Sequence, residues 1–272
     1  MKKRRKTIII ILVCALAAAF IVSPPGAGLR VYAVMSAVSG AAQRESVAVQ
    51  RGFEVKIPSG SGWAAKPWIF NADSLFERLT GETGARLSII YNFGSFDFWR
   101  GCSRLFDESS PYYNSFYGAY LAQLPNGAVY GFTPEGEADA QAPAALARMD
   151  FFGLVLGDFG LEPDEQVFEY TLEDTQEKLD FAGFPDWTRL DAKLQVNGAA
   201  HEAKEWVQSY WQYGRPNYPV TGEFAPVEMY CTVIARYFEQ WETTVFFYVM
   251  TPDEGVRDEC VDTILARAQI SQ

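Results

Sequence analysis

The chain has 272 residues, of which 49% are apolar, 15% aromatic and 21% charged; this composition excludes intrinsic disorder and suffices for one large domain or two small ones. Lys2, Lys3, Arg4, Arg5 and Lys6 form one short basic tail, and without it 18 basic residues face 34 acidic ones, a net charge of −16. Such a body repels nucleic acid and anionic lipid headgroups, so no nucleic-acid partner is expected.

The tail runs into TIIIILVCALAAAFIV, residues 7–22, which carry no charge and end at Ser23-Pro24-Pro25-Gly26. As a helix this run spans about 24 Å, a little short of a hydrocarbon core. A basic start before an apolar run is the layout of a secretory signal or a signal anchor, with the following chain exported. The expected location is the cell membrane, single-pass, with the body outside the cytoplasm. Secretion after cleavage near Ala33 is the alternative, because Val31-Tyr32-Ala33 offers a peptidase-like pattern. Cys14 follows Val13 in the middle of the run, which argues against a lipoprotein attachment site. Residues 1–22 are assigned to the anchor or signal peptide, 23–48 to a stalk, and 49–272 to the exported domain.

Strand signals recur from there on. Phe53-Glu54-Val55-Lys56-Ile57 alternates and stops at Pro58, and 87–93 is apolar enough for a central strand. SPYYNSFYGAY, residues 110–120, holds five rings. Read as a strand, it sends Tyr117, Ala119 and Leu121 one way and Phe116, Gly118 and Tyr120 the other. Neither face is polar, which fits a strand covered on both sides. Pro125-Asn126-Gly127 marks a turn, with a strand expected over 128–132. Leu146, Met149, Phe152, Leu156 and Phe159 make a helical apolar stripe within 143–159. Strands are expected over 166–171 and 190–196. Asn197-Gly198 then predicts a two-residue hairpin, with the chain returning over 203–211.

Val227, Met229, Cys231, Val233, Ala235 and Tyr237 share one face of a strand, and Val245, Phe247 and Val249 share one face of the next. If those faces coincide the connecting loop has odd length, and Glu239–Trp241 would supply three residues. Thr251-Pro252-Asp253-Glu254 reads as a capping box opening a helix to about Ala268, with Val256, Cys260, Val261, Ile264 and Leu265 inward. The expected fold class is α+β: a single domain with a curved, mainly antiparallel sheet and two or three packed helices, preceded by one N-terminal hydrophobic helix.

Chemical motifs are sparse. The single histidine, His201, cannot build a multi-histidine metal site, and His201-Glu202-Ala203-Lys204-Glu205 departs from the zinc-protease pattern at its fifth position. No G-x-S-x-G, phosphate loop or C-x-x-C occurs, so no catalytic residue, cofactor or metal is assigned. In an oxidising compartment Cys102, Cys231 and Cys260 allow one disulfide; a 231–260 bond matches in face but misses by about 13 Å along the helix. Candidate ligand contacts are rings in turns and loops: Tyr112, Tyr113, Trp187, Tyr218 and Phe224. These features point to a membrane-tethered extracytoplasmic binding or interaction domain, serving a cell-envelope assembly or sensing complex. Its partners would be the bilayer, through the N-terminal helix, and an envelope protein or glycan. The alternative is a hydrolase of envelope polysaccharide that works with two carboxylates.

Overall fold

The computed structural model describes residues 2–23, 27–58, 67–93, 96–97, 102–103, 109–156, 161–198 and 224–272. In chain order the elements are helices α1 (Lys2–Val22), α2 (Ala27–Arg44) and α3 (Val47–Arg51), strands β1 (Glu54–Lys56) and β2 (Trp68–Asn71), helix α4 (Asp73–Thr80), strands β3 (Arg86–Phe93), β4 (Phe96–Asp97), β5 (Cys102–Ser103) and β6 (Phe116–Gln123), and helix α5 (Gln141–Asp150). Then come β7 (Phe168–Phe181), β8 (Phe184–Asn197), β9 (Pro226–Phe238), β10 (Thr243–Thr251), α6 (Glu254–Glu259) and β11 (Gln269–Ser271).

One seven-stranded sheet, in the order β2-β3-β6-β10-β9-β8-β7, organises the body, and every neighbouring pair is antiparallel. The α+β expectation therefore holds at the level of a large antiparallel sheet with a few helices. Both faces of the sheet are buried. On the first lie Met35 of α2, Phe76 of α4 and Leu146 of α5, against Leu87, Tyr120, Leu190, Cys231 and Phe246. On the second lie Val47 of α3, Ile270 of β11 and the chain after α6, against Tyr117, Trp187, Ile234 and Phe247. The central strands are thus apolar on both sides, as the ring-rich stretch implies: Tyr117, Ala119, Tyr120 and Leu121 of β6 are all buried between β3 and β10.

Several expectations are corrected. The connection from β9 to β10 has four residues, Glu239–Glu242, because Phe238 pairs with Thr243. Its even length puts Val245, Phe247 and Val249 opposite Arg236, Ile234 and Thr232, so the two apolar faces named above look in opposite directions. A second core beneath β10 makes that register favourable. Asn197-Gly198 does not turn a hairpin, since β8 pairs with β7 on one side and β9 on the other, with Asn197 opposite Pro226. Asn197 instead splices three segments: its Oδ1 accepts from Val167 N (2.6 Å), and its Nδ2 donates to Glu165 O (3.2 Å) and Phe224 O (2.9 Å). The expected return strand, 203–211, lies outside the described residues. Residues 128–131 form no strand, and Phe132 makes only a single bridge to Ala138.

The stretch read as a stalk is helical over Ala27–Arg44, and its second half joins the body. Met35 is 1% exposed. Ser39 Oγ accepts from Ile69 N (2.9 Å) and the Ala42 carbonyl accepts from Asn71 Nδ2 (3.0 Å), so α2 covers the free edge of β2. The last helix begins two residues later than expected. Its cap is Asp253, whose Oδ1 accepts from Val256 N (3.2 Å), while Thr251 closes β10. Cys260, Val261, Ile264 and Leu265 do face inward. Cys231 belongs to the first core and Cys260 to the second, on opposite faces of the sheet, and both are free thiols; a bond between them is excluded. The side chain of Cys102 lies outside the described residues.

α1 packs no apolar face against the body. Its side chains from Lys6 to Ile21 are exposed, Ile8 at 64% and Leu12 at 60%. Among the described residues no helix is long and apolar enough to cross a membrane.

Candidate functional site

The candidate ligand residues separate. Tyr112 and Tyr113 sit in the turn before β6, and Phe224 stands just before β9. Since β6 and β9 both run antiparallel to β10, these three share one end of the sheet. All three are half-buried, with Tyr112 against the second core and Phe224 against the first. Trp187 stands near the opposite end of β8, about 30 Å away at 3.3 Å per residue. It is fully buried, with its ring edge-on to Phe181 (5.2 Å) and 5.7 Å from Phe238. It is therefore a core residue rather than a loop ring. Tyr218 and His201 lie outside the described residues. Among the described residues, Trp187 is thus separated from Tyr112, Tyr113 and Phe224.

A cleft of about 540 Å³ does open beside Trp187, at the end of the sheet where β9 turns. Phe132, Thr133 and Gly136 form one wall, and Asp186, Tyr237 and Glu239 form the other. The first wall is held rigid. Tyr130 OH donates to Ala142 O (3.0 Å), Thr244 Oγ1 donates to Tyr130 O (2.6 Å), and Thr133 N donates to Glu137 O (2.8 Å). Gly131 is obligatory there, because at φ 84° an added Cβ would lie 2.5 Å from Phe246 Cζ. The second wall is set by an irregularity in the pairing of β7 with β8, between Leu179–Trp187 and Phe181–Phe184. Asp186 sits within it at φ 59°, a left-handed conformation that an L-residue adopts at a cost.

The charge in this cleft is acidic. Asp186 and Glu239 are exposed, and neither makes an ion pair or hydrogen bond through its carboxylate among the described residues. The Tyr237 hydroxyl is held above the ordinary phenol range by partial burial and then by Glu242 and Glu239, with Arg51 opposing. Arg236 borders the cleft, but its guanidinium lies over the rings of Phe238 (4.9 Å) and Phe184 (5.6 Å), which belong to the second core. Two unpaired carboxylates, a phenol and the Phe132 ring are suited to a ligand rich in hydrogen-bond donors or carrying positive charge. Among the described residues no group of three or more His, Cys, Asp or Glu side chains is placed to hold a metal ion.

No protein-family model, curated protein or solved structure matches the chain.

Within Phe184-Pro185-Asp186-Trp187 the side chain that lines the cleft is Asp186, whereas a reading by rings alone selects Trp187. Alternation was the available signal. Asp186 has the parity of Leu190, Ala192 and Leu194, whereas Trp187 has the opposite parity and enters the second core.

Proposed function

We propose that the chain is a membrane-tethered binding domain whose body stands outside the cytoplasm and takes a donor-rich envelope ligand, a glycan or a basic protein segment, into the cleft at Asp186, Tyr237 and Glu239. The exposure of α1 carries this reading. Its large apolar side chains lie in water in the isolated chain, and each would gain roughly 1.5–3 kcal/mol on burial in hydrocarbon. An apolar run of about 24 Å is accommodated by local thinning of the bilayer and by basic residues reaching to the interface. The net charge of the body favours ligands bearing amines or many hydroxyls over anionic ones.

Flotation with liposomes tests the tether. The full chain is expected to rise with the vesicles at high salt, and a variant with Ile10→Asp, Leu12→Asp and Leu16→Asp to stay at the bottom. A full chain that stays at the bottom overturns it. For the cleft, the thermal midpoint of the full chain in detergent is followed during titration with soluble peptidoglycan fragments and with a basic peptide. A shift in wild type that disappears in Asp186→Asn with Glu239→Gln supports the site. Equal responses in both proteins remove it.

One observation favours a second reading, a carboxylate-dependent hydrolase of envelope polysaccharide: two unpaired carboxylates line one cleft together with aromatic side chains. Release of reducing ends from polysaccharide, lost in each single variant, would support it over binding alone.

A further inference from the structure

A second concavity, of about 720 Å³, lies between α4 and α5 on the first face of the sheet and shares no residue with the cleft. Each helix turns one stripe into the core, through Phe76 on α4 and Leu146 on α5. Each also presents a second stripe to this concavity, within which Phe152 is buried in the core, Leu75 and Met149 pack on its margin and Leu79 stays open. On α4 it is Leu75, Arg78 and Leu79, at i, i+3 and i+4; on α5 and the turn after it, Ala145, Arg148, Met149 and Phe152, at i, i+3, i+4 and i+7. The stripes face each other, and the walls meet where Gly153 approaches Leu75, whose methyls would lie 3.5 Å from a Cβ on that glycine. Leu79 remains 38% exposed. Among the described residues, the charged side chains lining the groove are two arginines, one on each wall. Both are exposed, and neither has an ion pair or hydrogen bond through its side chain among the described residues. An all-basic groove is unexpected on a chain of net charge −11.

From this juxtaposition we propose that the α4–α5 groove seats an acidic, amphipathic segment of a partner protein, with apolar side chains against Leu75, Leu79, Met149 and Phe152 and carboxylates paired with Arg78 and Arg148. Charge complementarity selects the occupant. One guanidinium on each side of an apolar floor matches a segment with carboxylates on both flanks of its apolar stripe. A single-headed amphiphile needs its cation at one end of the apolar channel, whereas here the two guanidiniums flank it.

The test is selection with a displayed library of amphipathic peptides of unbiased charge, panned against the full chain in detergent micelles. Enriched sequences are expected to combine Leu, Phe or Met with Asp and Glu. A synthetic representative is expected to bind at least tenfold more weakly to the Arg78→Glu, Arg148→Glu double variant and to Leu79→Asp. Panning the double variant is expected to select Lys and Arg instead. All these substitutions are at exposed positions, and an unchanged thermal midpoint verifies the fold. The proposal is overturned by no enrichment, by enrichment of basic segments on the wild type, or by binding that the variants leave unmoved. Displacement of the peptide by dodecanoate at concentrations below the peptide's own Kd would assign the groove to lipid and overturn it too.

Discussion

Asp150, at the end of α5, is 1% exposed and accepts hydrogen bonds from Tyr91 OH and, at 2.9 Å, from Tyr120 OH. The Tyr120 ring stacks on Tyr248 at 4.5 Å, which closes the site from above. Burial pushes the carboxyl from 3.8 up to about 7, and the two phenol hydrogen bonds oppose part of that rise. With the folded pKa above the unfolded one, the native state keeps a proton between about pH 4 and 7 that the unfolded chain has released. The stability linked to that proton is whole below about pH 4 and is lost as the pH rises through about 7; at about 1.4 kcal/mol per pKa unit its ceiling is roughly 4 kcal/mol. Asp150→Asn removes the titration. Urea unfolding of both proteins at about pH 4.5, 6 and 8 should show wild type losing ground to the variant as the pH rises. A constant difference between them would mean that the carboxyl is ionised in the fold throughout. Little of this site can be read from the sequence, since Asp150 follows an amphipathic stripe and reads as its polar side. The tyrosines are legible only as rings in central strands, because what joins them to Asp150 is a contact between layers.

The element most constrained by its neighbours is β6. An added Cβ on Gly118 would lie 1.7 Å from the Ile90 carbonyl oxygen of β3 and 2.9 Å from Tyr248 OH of β10. The Ile90 carbonyl is backbone and cannot withdraw without breaking the ladder, so Gly118→Ala is expected to cost more than about 4 kcal/mol or to prevent folding, as read by circular dichroism and urea titration. Gly40, within α2, has nothing within 4 Å of the place an added Cβ would take, so Gly40→Ala is the matched control. It should stabilise by up to about 1 kcal/mol through helix propensity. Equal tolerance at both positions would refute the close packing of β6 against β3. Much at this scale is legible: the strands β3, β6, β8, β9 and β10, the stripe of α5 as far as Phe152 and the inward residues after α6 all follow from periodicity, while the Leu156 side chain and Phe159 lie outside the described residues. Pairing partners are not. Asn197-Gly198 has the chemistry of a tight turn, but both edges of β8 are occupied, so the side chain of Asn197 serves as a splice. The register of β9 with β10 depends on a second core, which no single strand announces. α4 is eight residues long, and Ala72 at its cap position offers no side-chain acceptor, which leaves little local signal.

For the whole molecule, packing onto the body begins in the second half of α2, at Met35, while the side chains of α1 from Lys6 to Ile21 stay exposed. The sequence signals an apolar run and then small, weakly patterned residues, which resemble a spacer because α2 makes few but specific contacts. Those contacts can be weighed. Burying Met35 is worth roughly 1.5–3 kcal/mol, and the hydrogen bonds at Ile69 and Asn71 about 1 kcal/mol each. α1, with its apolar side chains exposed, contributes nothing comparable to the fold. Two truncations of the full chain follow from that asymmetry. Removing residues 2–22 is expected to leave the thermal midpoint within about 2 °C of the full chain and to improve solubility. Removing 2–44 uncovers the β2 edge and empties the Met35 site, and is expected to lower the midpoint by about 10 °C or more for a loss of several kcal/mol in a body of this size. Calorimetry on the three chains separates the cases. Equal midpoints for all three would make α2 the spacer its composition suggests. An equal drop for both truncations would place α1 within the body and deprive the tether of its physical basis, since a helix the fold needs is not one it can give up to a bilayer.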